Sequence, residues 1–179
     1  MKSGGNNMEY QNIKYNELSK EMFEQLEKGA FLTTKVGEKV NTMTIAWGGI
    51  SYVWNRKVFI AYVRYTRDTY QMLENGQEFT INVPLTNNLR KELGFCGTKS
   101  GRDYDKIKEC DLTMIDGRSI ETPIIKECDL HYECKVIYKQ AMEPGMIPND
   151  VKERFYKGND FHVIYYGEII DSYLIKGDQ

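Results

Sequence analysis

Short runs in which apolar and polar side chains alternate occupy much of the chain, and this period of two predicts strands. Residues 57–63 are apolar on both faces, which is typical of a strand covered on both sides. Residues 126–140 place apolar side chains on one face and mostly polar ones, including His131 and Glu133, on the other. That pattern predicts an antiparallel strand with one face in water. Further strands are predicted over 30–35, 41–47, 78–83 and 160–174, the last with a kink or bulge at Gly167.

Helical periodicity is confined to a few segments. Residues 16–28 repeat Leu18, Met22 and Leu26 at four-residue spacing, which predicts an amphipathic helix. Shorter helices are predicted over 69–75, 87–93 and 104–108. Because strands are numerous and do not alternate strictly with helices, the pattern favours a mainly β fold, such as a barrel with flanking helices, or an α+β domain. Residues 1–15 are predicted to form a flexible extension before a single domain over 16–179.

Composition narrows the class of protein. The net charge of the 179 residues is -2, and the basic side chains are spread along the chain, which argues against a nucleic-acid binder and an electrostatic membrane anchor. No apolar run reaches transmembrane length, and the polar N-terminus does not look like a secretory signal. The cysteines lie far apart and are expected to be thiols: Cys96, Cys110, Cys128 and Cys134. A cytoplasmic protein is therefore expected.

The strand predicted over 41–47 has an unusual polarity. It contains hydroxyl and amide side chains, yet no charged residue occurs between Asn41 and Tyr52. Such a half-buried surface suits hydrogen bonding to something neutral and polar. Gly48 and Gly49 follow it and would allow backbone or ligand to come close. Taken alone, the segment is more typical of an ordinary threonine-rich strand.

Residues 64–69 follow a buried strand and open a predicted helix. They contain two arginines and two threonines, and a helix start with forked guanidinium donors is a common phosphate site. Asp68 would repel a phosphate unless it caps the helix or pairs with an arginine. A solvated loop with a surface ion pair explains the spacing equally well.

Residues 96–101 are predicted to form a loop with two glycines, two hydroxyls and a lysine, whose backbone donors could reach a ligand. The spacing is not that of a Walker loop. Cys96 is expected to be a small buried residue rather than a nucleophile, since only two histidines are present.

The histidines do not form an obvious catalytic or metal-binding group. His131 would point away from Cys128 and Cys134 on the same strand, so no metal site is expected there. His162 lies on the last strand, where a histidine is more often packed or hydrogen-bonded than catalytic. A phosphorylated aromatic cofactor would nevertheless use both polar features, with its phosphate at Arg64, Arg67 and Thr69 and its ring along 41–47.

Four segments, in this order, resemble the signature of the flavin reductase-like, or flavoredoxin-type, family of FMN-binding split barrels. They are Asn41–Trp47, Val63–Thr69, Phe79–Pro84, and Cys96–Gly101 followed by Asp105 and Lys106. Each motif alone is weak, but all four in order and with fitting spacing are a strong signal, and the resemblance extends over roughly residues 29–174. Tyr65 and Asp68 depart from the family pattern, where proline and an aromatic residue are common, so the phosphate segment is the least well matched.

The resemblance implies a six-stranded antiparallel Greek-key barrel and a homodimer that binds FMN near the subunit interface. The flavin ring and ribityl chain would contact Asn41, Thr42, Met43, Thr44 and Trp47. The phosphate would be held by Arg64, Arg67 and Thr69. The pocket would be closed by Asn82, Cys96, Gly97, Ser100, Gly101 and Lys106, with His162 on the substrate side.

The implied function is that of a flavoprotein oxidoreductase, either an NAD(P)H:flavin reductase or a flavoredoxin-like electron carrier. The flavin performs the redox chemistry in such proteins, so no catalytic acid or nucleophile is required. The alternative is a non-enzymatic module that uses the same barrel for another ligand.

Overall fold

A computed structural model describes residues 8–176 and shows a mainly β domain with one large antiparallel sheet. The strands of this sheet are β1 (Glu9–Asn12), β2 (Ala30–Val36), β3 (Lys39–Ile45), β4 (Gly48–Val53), β5 (Arg56–Arg64), β6 (Glu78–Val83), β9 (Leu130–Ala141) and β10 (His162–Lys176). A separate small sheet pairs β7 (Met114–Ile115) with β8 (Ile124–Ile125). The helices are α1 (Ser19–Leu26), α2 (Asp68–Gly76), α3 (Arg90–Thr98), α4 (Lys106–Glu109) and α5 (Asn149–Phe155), with a 3₁₀ turn at Pro144–Met146.

The strand order shows how the sheet becomes a barrel. Seven strands follow the order β3-β2-β6-β9-β10-β5-β4, and β1 pairs with β10 beside this path. The two ends of the path, β3 and β4, are joined by only Ala46 and Trp47. So short a link requires the sheet to curl until its ends meet. The predicted barrel with flanking helices is therefore confirmed, although the sheet has eight strands rather than six.

The barrel interior is filled by the inward faces of the strands. Phe59, Phe79, Tyr132 and Tyr165 are fully buried there. Burial of each such side chain contributes roughly 1.5–3 kcal/mol. Gly167 is required by this packing, because a Cβ at that position would lie 2.4 Å from Phe79 Cζ. The pairing of β9 with β10 shifts register at this glycine, which confirms the predicted bulge.

The polar face of β9 is only partly in water: Lys135 and Lys139 are exposed as predicted for 126–140, whereas the polar residues before them are not. His131 and Glu133 are both fully buried. The Glu133 carboxylate accepts hydrogen bonds from the backbone N–H groups of Arg118 at 2.7 Å, Ser119 at 2.7 Å and Ile120 at 3.0 Å. The segment after β7 therefore folds over this face and is fastened by the buried carboxylate.

Two boundaries differ from the predictions, and the first of them concerns residues of the predicted site. The helix predicted over 87–93 begins and ends later, at Arg90 and Thr98, so Cys96 and Gly97 are helical rather than in a loop. Part of the predicted flexible extension is ordered, because Glu9–Asn12 pair with Tyr173–Lys176 of β10. Residues 1–7 lie outside the described part of the chain. Within 8–176, no helix is long and apolar enough to cross a membrane.

Candidate functional site

The site begins at the turn that closes the barrel. Gly48 follows Trp47 with a φ of 143°, and a Cβ there would lie 2.4 Å from the Ile60 carbonyl oxygen. Only glycine fits this approach of the backbone of β4 to β5. The glycine therefore serves strand packing rather than ligand access, and it holds Trp47 at the rim of a pocket. Trp47 remains 39% exposed at this rim.

A pocket of about 160 Å³ opens beside the end of β3. It brings together six residues that the sequence assigns to the flavin site, namely Met43, Thr44, Trp47, Arg64, Arg67 and His162. Tyr62, which the sequence reasoning missed, completes the lining with Ile45 and Ala46. Tyr62 faces the pocket because it shares a sheet face with Arg64, two residues further along β5.

A second groove, of about 520 Å³, lies at the beginning of β3. Three other predicted residues line it: Asn41, Gly101 and Lys106. Asn41 Nδ2 donates a hydrogen bond to Thr69 Oγ1 over 3.0 Å, which joins β3 to the first turn of α2. A Cβ on Gly101 would lie 2.4 Å from Asn41 Oδ1, so this loop reaches β3 only because the residue is glycine.

Positive charge is concentrated around the start of α2. Lys39 pairs with Asp68 over 2.8 Å, so this carboxylate is held by a lysine rather than by an arginine. Lys106 is buried and donates to the Cys96 carbonyl oxygen over 3.2 Å. Burial lowers the pKa of Lys106, and the nearby Arg67 lowers it further, whereas Cys96 and Asp68 act in the opposite direction. Three cations thus surround one carboxylate.

The two arginines that are predicted to bind phosphate make different contacts. The Arg64 guanidinium donates to the backbone oxygens of Asp160 and of Phe155, the latter over 2.9 Å, and lies 5.0 Å from the Tyr156 ring centroid. It therefore fastens the connection between β9 and β10 to the pocket mouth. The Arg67 side chain forms no hydrogen bond or ion pair with any residue between 8 and 176, although it lines the pocket. Arg67 is thus the arginine that remains available to an anion.

His162 stands at the pocket wall in a group of aromatic side chains. Its Nδ1 lies 2.8 Å from Tyr156 Oη, and its ring centroid lies 5.1 Å from that of Trp47. Burial, followed by the charge of Arg64, lowers the pKa of His162 to about 4, so the imidazole is neutral at pH 7. Tyr156 comes from the irregular connection after α5, and no motif in the sequence had indicated it.

Two predicted residues, Thr42 and Asn82, do not line either cavity and are buried on the outer face of the sheet. Thr42 Oγ1 donates to the Leu32 carbonyl oxygen over 3.2 Å and accepts from Thr33 Oγ1 over 3.1 Å. Asn82 Oδ1 lies 2.9 Å from His131 Nδ1 and accepts from the Ile125 N–H over 3.0 Å. Both side chains are fully buried, so their polar groups join neighbouring strands.

The remaining predicted residues lie behind or beside the pocket. A Cβ on Gly97 would be 3.3 Å from Thr44 Cβ, so this helical glycine allows α3 to pack directly on β3. Thr44 Oγ1 in turn donates to the Leu93 carbonyl oxygen over 2.6 Å. Cys96 is buried in the same helix, as expected for a small packed residue. Ser100 Oγ accepts from the Arg102 N–H over 3.2 Å and shapes the loop before Gly101.

No cluster of three or more potential metal ligands occurs among residues 8–176. The site instead combines a partly aromatic pocket that contains two arginines with a neighbouring groove lined by charges of both signs. Both cavities border the same strand, β3, at its two ends. An elongated ligand with a flat polar part and an anionic part matches this arrangement.

Comparison with known proteins gives consistent results. The family model for the flavin reductase like domain matches residues 28–179. A protein of Archaeoglobus fulgidus is 30% identical over 141 residues, which is 79% of this chain and 68% of that protein.

Solved structures show the same fold at low sequence identity. The FMN-binding domain of a flavin reductases-like enzyme from Shewanella baltica has a TM-score of 0.66 and 15% identity, over 93% of this chain and 78% of that one. The flavoredoxin from Methanosarcina acetivorans has a TM-score of 0.62 and 20% identity, over 100% of this chain and 92% of that one.

Proposed function

The chain belongs to the flavin reductase-like domain family, and from this premise we propose that it binds FMN and acts as a flavin-dependent oxidoreductase. Its role would be that of an NAD(P)H:flavin reductase or of a flavoredoxin-like electron carrier. The observation that supports this most directly is that Arg67 lines the pocket, has no side-chain partner among residues 8–176, and lies near the buried Lys106 of the groove. A bound flavin would supply hydride and electron transfer.

The charges around the start of α2 match a phosphate group, although the groove as a whole is lined by Glu38, Asp103 and Asp105 as well as by Lys39, Arg102 and Lys106. Lys39, Arg67 and Lys106 supply three positive charges, and Asp68 supplies one negative charge. A phosphate dianion would neutralise the excess, and Arg67 could offer it forked donors. Asp68 is tied to Lys39, so its repulsion of the phosphate is reduced.

The ring of the cofactor would lie at the other end of β3, where Met43, Thr44 and Trp47 meet. A strand rises about 3.3 Å per residue, so the path from Asn41 to Trp47 is roughly 20 Å long, which accommodates a mononucleotide. His162 and Tyr62 would flank the exposed side of the ring. Because His162 is neutral, it would not place a positive charge where a reduced nicotinamide or a redox partner approaches.

A homodimer is part of the proposal. The pocket volume of about 160 Å³ is below the roughly 300–1,000 Å³ of typical ligand pockets, so a further surface must cover the ligand. The outward sheet face next to the pocket is apolar, with Ile60 and Tyr62 paired to Tyr166 and Ile164, and Tyr138 beside Tyr166. A second copy packed on this face would cover the pocket. A cytoplasmic location is proposed with it.

The visible spectrum of the purified protein tests flavin binding. We expect a yellow protein whose flavin absorbance is bleached by dithionite, or a colourless protein that takes up added FMN. A colourless protein that does not bind FMN would contradict the proposal and favour a binding module for another ligand. Oxidation of NADH and NADPH with added flavin then separates the two roles, since turnover indicates a reductase and its absence an electron carrier.

A further inference from the structure

Two of the four cysteines lie in contact behind the groove that Lys106 lines. Cys96 Sγ is 3.9 Å from Cys110 Sγ. Cys96 is buried in α3, whereas Cys110, which follows α4 directly, is only partly buried. The other two thiols are also buried, Cys134 in the barrel core and Cys128 in the cluster that packs outside it. The pair therefore combines one sheltered sulfur with one that solvent can reach.

We propose that Cys96 and Cys110 form a reversible dithiol–disulfide site that is oxidised by low-molecular-weight disulfides. The Cys110 thiolate attacks the small disulfide, forming a mixed disulfide and releasing one small thiolate. The Cys96 thiolate then attacks the Cys110 sulfur, forming the internal bond and releasing the second small thiolate. Two protein thiols and one disulfide thus become one protein disulfide and two small thiols.

The local structure allows the sulfurs to approach. A disulfide bond is about 2.05 Å long, so the contact must shorten by roughly 1.9 Å. Cys110 lies at the end of the four-residue helix α4, and the next residue, Asp111, has a φ of 51°. Such a short helix end can shift with little loss of packing.

The acidity of the thiols determines the rate of the reaction. Burial raises the pKa of Cys96 to about 12 and also raises that of Cys110. Thiolate is therefore scarce at pH 7, and oxidation is slow but accelerates about tenfold per pH unit below the thiol pKa. This places the site among those that respond to sustained rather than brief oxidation.

Closure of the bond would connect the two ends of the segment that borders the groove. Residues 97–109 include Gly101 and Lys106, and the Lys106 ammonium already bonds the Cys96 carbonyl oxygen. The bridge would restrict this segment in the unfolded chain and hold it in the folded one. The inference does not depend on flavin binding.

Incubation of the full chain with oxidised glutathione at pH 8.5 tests the proposal. We expect the intact mass to fall by about 2 Da with a linked peptide containing Cys96 and Cys110, and dithiothreitol to reverse it. The thermal midpoint should rise by about 5–10 °C on oxidation. Cys96→Ser should instead accumulate a glutathione adduct on Cys110.

Matched controls make the outcome decisive. Cys128→Ser changes a buried thiol outside the pair, and it should form the same linked peptide as the natural chain. A chain that keeps four reactive thiols on denaturation after oxidation would overturn the proposal. So would a linkage that joins two chains or involves Cys134. If these two cysteines form the bond, Cys96→Ser and Cys110→Ser should each abolish the rise in thermal midpoint.

Discussion

The two histidines of the chain have chemically similar surroundings, but only His162 can be reached from a pocket. Both are on strands of the same sheet, and burial lowers the pKa of each to about 4. His131 is sealed in the core, with Nδ1 2.9 Å from Asn82 Oδ1 and Nε2 2.9 Å from the Cys128 carbonyl oxygen. His162 bonds Tyr156 through Nδ1 only and lines the open pocket.

The difference shows that a neutral buried histidine is not in itself a sign of function. Both ring nitrogens of His131 are occupied by protein oxygens, so the ring joins strands and can meet no ligand. His162 has one nitrogen held by the protein, and its Nε2 has no hydrogen-bond partner within residues 8–176. His162 differs from His131 in lining a cavity and in having a ring nitrogen without a partner among residues 8–176.

The largest expected effect is on the free energy of unfolding, which should fall more when His131 is replaced than when His162 is replaced. His131→Ala should lower the free energy of unfolding by about 3–5 kcal/mol, because it leaves a cavity and removes partners from buried polar groups. His162→Ala should cost only about 1–2 kcal/mol, since water can enter the pocket and replace the lost bond. Urea unfolding of both variants measures the difference. Equal losses would show that the pocket side is as tightly sealed as the core.

The second effect is the pH dependence of the free energy of unfolding. A folded-state pKa below the ordinary 6.5 means that protons bind the unfolded chain more readily, so the stabilisation is complete above pH 6.5 and is lost as pH falls towards 4. His131 should account for up to about 3 kcal/mol of this loss. Unfolding measured from pH 7.5 to 4 should show a shallower slope for His131→Gln than for the natural chain. A parallel slope would mean that the pKa of His131 in the folded chain is not lowered.

The sequence predicted the fold class because side-chain alternation directly reports which faces of a strand are apolar. It failed on the first half of the polar face of β9, where alternation indicated water. Glu133 is buried there because backbone N–H groups of residues 118–120 and the Tyr173 hydroxyl, at 2.6 Å, replace water around its carboxylate. Such partners come from distant segments, and no local pattern reports them.

The same reason explains the uneven prediction of the site. The residues around Arg67 and Trp47 were found because their motifs are local and continuous. Asn82 belongs to such a motif too, yet its side chain is buried on the outer face of the sheet and bonds His131. Tyr156 was missed because its contact with His162 depends on the path of an irregular connection. That path is fixed by Arg64, which holds the Phe155 and Asp160 carbonyl oxygens.

The third prediction compares the two pocket arginines. Arg67→Ala should weaken FMN binding by about 1.5–3 kcal/mol, the cost of a lost charged hydrogen bond, and should leave riboflavin binding nearly unchanged. Arg64→Ala should affect both ligands alike, because this side chain fastens the pocket wall to the β9–β10 connection. Fluorescence titration with the two flavins measures the four affinities. Equal losses of FMN and riboflavin in Arg67→Ala would place the phosphate away from this residue.

The smallest effect tests what holds the pocket histidine in place. If the Tyr156 hydroxyl donates to Nδ1, the proton of His162 resides on Nε2 and points towards the ligand. Tyr156→Phe should then cost only about 1 kcal/mol of stability, yet allow the ring to populate both tautomers. Nitrogen-15 NMR of the histidine rings reports this directly, and His131 serves as the internal control because its bonds are untouched. An unchanged His162 spectrum would show that packing against Trp47 and Tyr62, rather than the hydroxyl, orients the ring.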